Sequence, residues 1–157
     1  MKITICAIGR VKSSYARLGC DDYVSRMKRF FKVDYIELKD VRRGRSDGTK
    51  VWKNQEAQAL LSHIPKNAFA VALDERGKQF KSQQFASWIE SQQVRGISSI
   101  AFLIGGPDGH GQDVMKTAQL SMALSALTLP HELARLVLCE QLYRAGSLLS
   151  GHPYHRE

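Results

Sequence analysis

The chain has 157 residues, 43% hydrophobic and 24% charged, the size and balance of one globular domain rather than a disordered segment. No apolar run approaches the roughly 18 residues that would read as a membrane span. The formal net charge of +8 lies wholly in residues 1–66, which carry 15 Lys and Arg against 7 Asp and Glu, while residues 67–157 carry 8 of each. This asymmetry points to a polyanionic partner, nucleic acid above all.

The opening "MKITICAIGRVK" pairs a lysine with an apolar run of about six residues, shorter than a signal-peptide core. It reads as a first strand. A helix is predicted from about Ser13 to Phe31, with Ala16, Cys20, Tyr23, Met27, Phe30 and Phe31 as its apolar stripe. "VDYIELK" alternates and predicts a second strand. "KDVRRGRSDGTK" has Gly and Asp punctuation and no period, so it is a loop. A second helix carries Ala57, Leu60, Leu61 and Ile64 on one face and ends before Pro65. "AFAVALD" is continuously apolar, the mark of a strand buried on both faces of a parallel sheet. Ser82 is the expected cap of a helix carrying Phe85, Trp88 and Ile89, with Gly96 near its end. "SIAFLIG" is another buried strand, followed by the loop "GPDGHG". A short helix is expected near Asp113 to Gln119, then the apolar stretch "MALSALTLP", then a last helix from about His131 to Leu149.

Strand and helix alternate throughout, which predicts a single α/β domain over residues 1–157, with a mostly parallel sheet and helices on both faces. Ligands of such sheets bind beyond the carboxyl ends of the strands. The candidate site therefore falls at the ends of "AVALD", "FLIGG" and "LSALTLP".

"LIGGPDGHG", Leu103 to Gly111, is the richest glycine loop. Gly106 and Gly111 have the spacing of a nucleotide loop, but Gln112 and Asp113 follow where Lys and Ser or Thr belong, so a polyphosphate ligand is not expected. A tight turn between strand and helix is the plain alternative. "LSALTLP" by itself reads as a buried strand and helix start; beside a glycine loop it can also offer backbone groups to an adenine ring. The last helix is apolar on more than one face, which predicts either burial within the chain or a second copy packed against it. Asp74 and Glu75 read as a capping or solvated pair. His152 and His155 have HxxH spacing without a third ligand, so no metal is expected. Cys6, Cys20 and Cys139 form no CxxC pair and are expected to be free thiols in a reducing cytoplasm.

Together, "KITICAIG", "LIGGPDG", "LSALTLPHELAR", "EQLYRA" and the terminal "HPYHRE" resemble the bacterial ribosomal RNA large subunit methyltransferase H family, of the SPOUT superfamily of knotted methyltransferases. The resemblance runs from Met1 to Glu157. It implies an α/β fold with a trefoil knot at its carboxyl end, S-adenosylmethionine as methyl donor, a cytoplasmic homodimer, and as substrate the position-3 nitrogen of a pseudouridine in helix 69 of 23S rRNA within the ribosome. The implied cofactor positions are Leu73, Gly105 and the run Leu124, Ser125, Ala126, Leu127, Thr128 and Leu129, with Gly106 beside them in the glycine loop. His110 departs from the family, where an apolar residue is expected. The rival readings are a basic RNA-binding module without chemistry and a nucleotide hydrolase.

The segment from Lys39 to Lys53 brings Lys39, Arg42, Arg43, Arg45, Lys50 and Lys53 against two acids, which suits phosphate contacts. The tail "GHPYHRE" holds groups the chemistry needs. His155 titrates in the range to accept an imide proton, Arg156 can stabilise charge on neighbouring carbonyl oxygens, and Tyr154 can stack on a base. These three, with Arg144 on the last helix as a weaker candidate, are the expected catalytic residues.

Overall fold

The computed structural model describes residues 1–41 and 48–152. Ten elements alternate: β1 (Lys2–Ile8), α1 (Ser14–Met27), β2 (Lys32–Leu38), α2 (Thr49–Ser62), β3 (Phe69–Gln79), α3 (Ser82–Val94), β4 (Ser99–Ile104), α4 (Gln112–Thr117), β5 (Leu120–Ala123) and α5 (His131–Leu149). The five strands form one sheet in the order β2-β1-β4-β3-β5, with every strand pairing parallel.

Hydrophobic periodicity maps directly onto this order. β4, flanked on both sides, is buried at every residue, and β1 is buried from Ile3 to Ile8. Successive side chains alternate between two cores. Ile3, Ile5, Ile100 and Phe102 pack under α1, α3 and α5, with Met27, Ile89, Leu138 and Leu142. Cys6, Ile8, Ala72 and Leu103 pack under α2 and α4, with Ala57, Leu60 and Val114. β2 lies at an edge and alternates accordingly, exposing Lys32 and Asp34.

The structure corrects several boundaries. α1 ends at Met27, and Phe31 turns inward at the start of β2. Ser82 is not a cap; its hydroxyl donates to Gln141 Oε1 at 2.8 Å and ties α3 to α5. Lys81 holds the cap position, and its N–H donates to the Gln84 side chain at 2.9 Å. β3 runs past Asp74 to Gln79, pairing with β5 through an irregularity between Leu73 and Lys78. Gly77 allows this approach, because a β-carbon there would stand 2.5 Å from the Met122 nitrogen. "LSALTLP" is no strand: β5 stops at Ala123 and residues 124–130 form an irregular crossing, with Leu127 76% exposed. That crossing leads from the β5 edge back over the sheet to α5, which contacts both α1 and α3. A knot at this end of the fold would involve this return.

α5 lies between two helices and over the sheet, so Leu138, Cys139, Leu142, Tyr143 and Ala145 are all buried within one chain. Its apolarity is thus met largely inside the monomer. Leu133, Leu136 and Val137 are half-buried.

Candidate functional site

Parallel strands place all their carboxyl ends on one rim, and two adjoining cavities open there. One is largely apolar, walled by Leu73, Ile104, Met122, Leu124, Leu127 and Leu129, with Gly105, Gly106 and Ser125. The other, about 500 Å³, is more polar and meets Lys53, Asp74, Glu75, Asp108, His110 and Thr128. That volume is in the range of small-molecule sites. Leu73, Asp74, Gly106 and Leu129 border both.

The sequence-expected cofactor positions converge here. Leu73, Gly105, Gly106, Leu124, Ser125, Leu127, Thr128 and Leu129 each line one cavity or both. Ala126 belongs to the same crossing but lines neither. The crossing is held locally, with the Leu127 N–H donating to Ser125 Oγ at 2.9 Å and the Thr128 hydroxyl to Glu75 Oε2 at 3.2 Å.

The glycine loop turns sharply over this rim. Gly109 has φ +77° and its N–H donates to the Gly106 carbonyl at 3.0 Å, closing a turn with Pro107 and Asp108 at its corners. A β-carbon at Gly106 would press on the buried Glu56 carboxylate at 2.8 Å. At Gly105 it would meet the Gly109 carbonyl at 3.2 Å and His110 Nδ1 at 3.2 Å. A side chain there therefore strains the returning loop before it reaches the cavity.

Asp74 and Glu75 read from sequence as a capping or solvated pair, and Asp74 does partly cap. It accepts from the Arg76 N–H at 2.9 Å and from Arg76 Nε at 3.2 Å. These bonds hold its carboxyl below the usual range. Both acids also border both cavities. Their position at a strand's carboxyl end was the signal available for a site role. His131, first residue of α5, likewise lines both cavities.

The expected phosphate-binding residues divide. Lys53 reaches the polar cavity, and Lys39 and Lys50 are exposed on the loop leaving β2 and at the start of α2. Arg42, Arg43 and Arg45 lie outside the described residues. Arg10 and Lys12, which follow β1 on the same rim, line a neighbouring hollow with Asp40 and Glu132 and were not singled out from sequence.

The tail residues Tyr154, His155 and Arg156 also lie outside the described residues. Arg144 donates to Glu140 Oε1 from Nε at 2.9 Å and from Nη2 at 2.5 Å. It sits thirteen positions beyond His131, about 20 Å along the helix axis, so it is remote from its own chain's cavities. Among the described residues no group of three or more His, Cys, Asp or Glu is arranged to hold a metal. Nor is any helix among them long and apolar enough to cross a membrane.

The family model described as "Predicted SPOUT methyltransferase" matches residues 1–155. Ribosomal RNA large subunit methyltransferase H of Alkaliphilus oremlandii (strain OhILAs) is 38% identical over 159 residues, spanning 99% of this chain and 100% of that protein. The protein of the same name from Xanthomonas euvesicatoria pv. vesicatoria (strain 85-10) is 38% identical over 156 residues, spanning 99% of each. Among solved structures, a methylase family protein from Haemophilus influenzae Rd KW20 superimposes with a TM-score of 0.54 at 11% identity, covering 99% of this chain and 70% of that one. One from Neisseria gonorrhoeae gives 0.53 at 12% identity, covering 98% and 95%. At that identity the likeness is one of fold.

Proposed function

This chain belongs to the SPOUT methyltransferase family, and on that premise we propose that it is a cytoplasmic, single-domain enzyme that acts as a homodimer on the ribosome. It transfers a methyl group from S-adenosylmethionine to the position-3 nitrogen of a pseudouridine in helix 69 of 23S rRNA. The observation that carries this reading is the meeting of Leu73, Gly105 and the Leu124–Leu129 crossing around one apolar cavity, on the same rim from which the basic loop leaves β2.

The residues fit such a donor. Apolar walls from Leu73, Ile104, Met122 and Leu129 suit an adenine ring, and the lack of a lysine after Gly111 suits a donor that carries no phosphate. Glu75, which borders both cavities, offers a carboxylate to a cationic sulfonium, while Asp74 beside it is paired with Arg76 at 3.2 Å. When bound, the donor supplies an already activated methyl group, so the chain's task is alignment and removal of one proton from the base. Tyr154 stacks on or hydrogen-bonds the base and Arg156 offsets charge on the flanking carbonyl oxygens; loss of the N3 proton falls either to His155, directly or through water, or to electrostatic lowering of the imide pKa with no dedicated base.

Chain reach supports a shared site. His131 borders the cavity at one end of α5; His152 lies beyond the other end, its ring 6.2 Å from Phe30 and Nε2 3.4 Å from Arg29 Nη1, beside the amino end of β2. The 19-residue helix spans about 28 Å. Three residues from His152 to His155 reach at most about 11 Å. This reach supports a tail that completes the cavity of a partner subunit rather than that of its own chain.

Incubation with ribosomal particles and S-adenosylmethionine, followed by mass spectrometry of the rRNA nucleosides, tests the reading. A methylated pseudouridine in helix 69 is expected. Ribosome binding with no methylated nucleoside would leave only a basic RNA-binding module.

A further inference from the structure

His110 is a buried residue that the proposed reaction does not use. It is 8% exposed and borders the polar cavity with Leu73, Asp74 and Gly109. Its Nδ1 stands 3.2 Å from where a β-carbon on Gly105 would be, so the ring backs directly onto the glycine loop. Among the described residues, neither Nδ1 nor Nε2 makes a hydrogen bond of normal geometry, although backbone carbonyls of Leu73 and Leu103 lie close enough to interact with the ring.

Burial holds the imidazole below the usual histidine range, which keeps it neutral near pH 7. A neutral ring carries one N–H donor and one bare acceptor nitrogen. Leaving the acceptor nitrogen buried and unpaired is costly. A leucine of similar bulk would fill the space at no such cost. The polar ring therefore has to be explained by a bond it makes in another state of the site. The neighbouring backbone offers carbonyls, from Leu73 and Leu103, which can take up only the N–H. The bare nitrogen needs a donor, and a hydroxyl satisfies either tautomer because it both donates and accepts.

We propose that His110 is a further binding residue of the donor site, its ring nitrogen hydrogen-bonded to a ribose hydroxyl of the bound methyl donor. The inference rests on the reading of this cavity as the donor site. It assigns the ribose to the polar cavity beside Asp74, with the adenine against the apolar walls. It also gives this chain an affinity contribution that an apolar residue at position 110 does not supply.

The test uses S-adenosylhomocysteine, the stable demethylated product, as probe on the full chain. Calorimetry compares the wild type with His110→Leu and His110→Gln, and imidazole nitrogen resonances are followed during titration. His110→Leu should weaken binding about tenfold while Gln, which keeps a donor and an acceptor, holds it within about threefold. The His110 ring nitrogens should shift on saturation. A ribose-deoxy analogue should bind the wild type weakly and lose little more in His110→Leu. Wild-type affinity in His110→Leu with unmoved ring resonances overturns the proposal. Equal weakening in the Leu and Gln variants, both folded, reduces His110 to packing and also overturns it. If the wild type itself binds no product and no S-adenosylmethionine, the donor-site reading falls, and this inference with it.

Discussion

The guanidinium of Arg135, with no exposed surface, donates to the backbone carbonyls of Ile8 and Gly9, the latter at 2.8 Å and 126 residues away. It fastens the first turns of α5 to the end of β1. Glu37 adds a carboxylate at 3.5 Å, and its Oε1 also accepts from the Val11 N–H at 2.9 Å. The crossing that walls the apolar cavity is thus anchored at its far end by one buried cation. Arg135→Met removes the charge but leaves two buried carbonyls unpaired. It should destabilise the fold by about 3 kcal/mol or more, read from urea unfolding, and should loosen donor binding with it.

Glu132, three residues before Arg135, accepts from the N–H groups of Lys12 and Ser13 at 2.9 and 3.0 Å and from the Ser13 hydroxyl. These bonds, the Ser13 hydroxyl first, bring its pKa down to about 2. A depressed carboxyl stabilises the fold fully above its unfolded value, near 4.5, and loses that contribution as pH falls towards 2. Glu132→Gln should flatten the loss of stability between about pH 5 and pH 2, measured as thermal midpoints against pH. An unchanged acid profile would mean these bonds do not survive in solution.

Gly77 and Gly105 should separate in their effects. Gly77→Ala drives a β-carbon against the backbone of Ser121 and Met122, so it should part β5 from β3 and cost about 2 kcal/mol or more of stability. Gly105→Val strains the loop through Gly109 and His110. It should leave the fold intact by circular dichroism and weaken donor binding at least about tenfold. Unchanged donor affinity in folded Gly105→Val removes this loop from the site.

Replacing Arg42, Arg43 and Arg45 together by Glu should weaken ribosome binding and lower its slope against log salt by about 2 to 3, because each of the three cations that neutralises a phosphate releases about 0.7 to 0.9 of a counterion. Donor affinity should not change. A wild-type salt slope would take the basic loop out of the RNA interface.

Truncation after Gly151 should keep the dimer and donor binding and abolish methyl transfer. Mixing that protein with Gly105→Val subunits gives the sharper result. A tail acting across the dimer restores activity that neither parent has, because one cavity is then intact and receives an intact tail. A tail acting within its own chain restores nothing.

The sequence alone determined the order and kind of the elements. It also separated the strands read as buried, "AFAVALD" and "SIAFLIG", from the alternating strand "VDYIELK", because periodicity records how many faces of a segment are covered. It located α5 from His131 to Leu149, and the parallel sheet it implied drew the candidate site to the strand ends, where the structure opens its two rim cavities. Periodicity does not record what does the covering. That β4 lies at the centre between β1 and β3, that α5 is flanked by α1 and α3, and that Glu132 and Arg135 reach back to residues 8–13 are long-range pairings with no local mark. The same holds for the polar residues. Asp74, His110 and Arg135 look like ordinary loop and helix residues in the chain, and acquire their meaning from the burial and partners that folding assigns them.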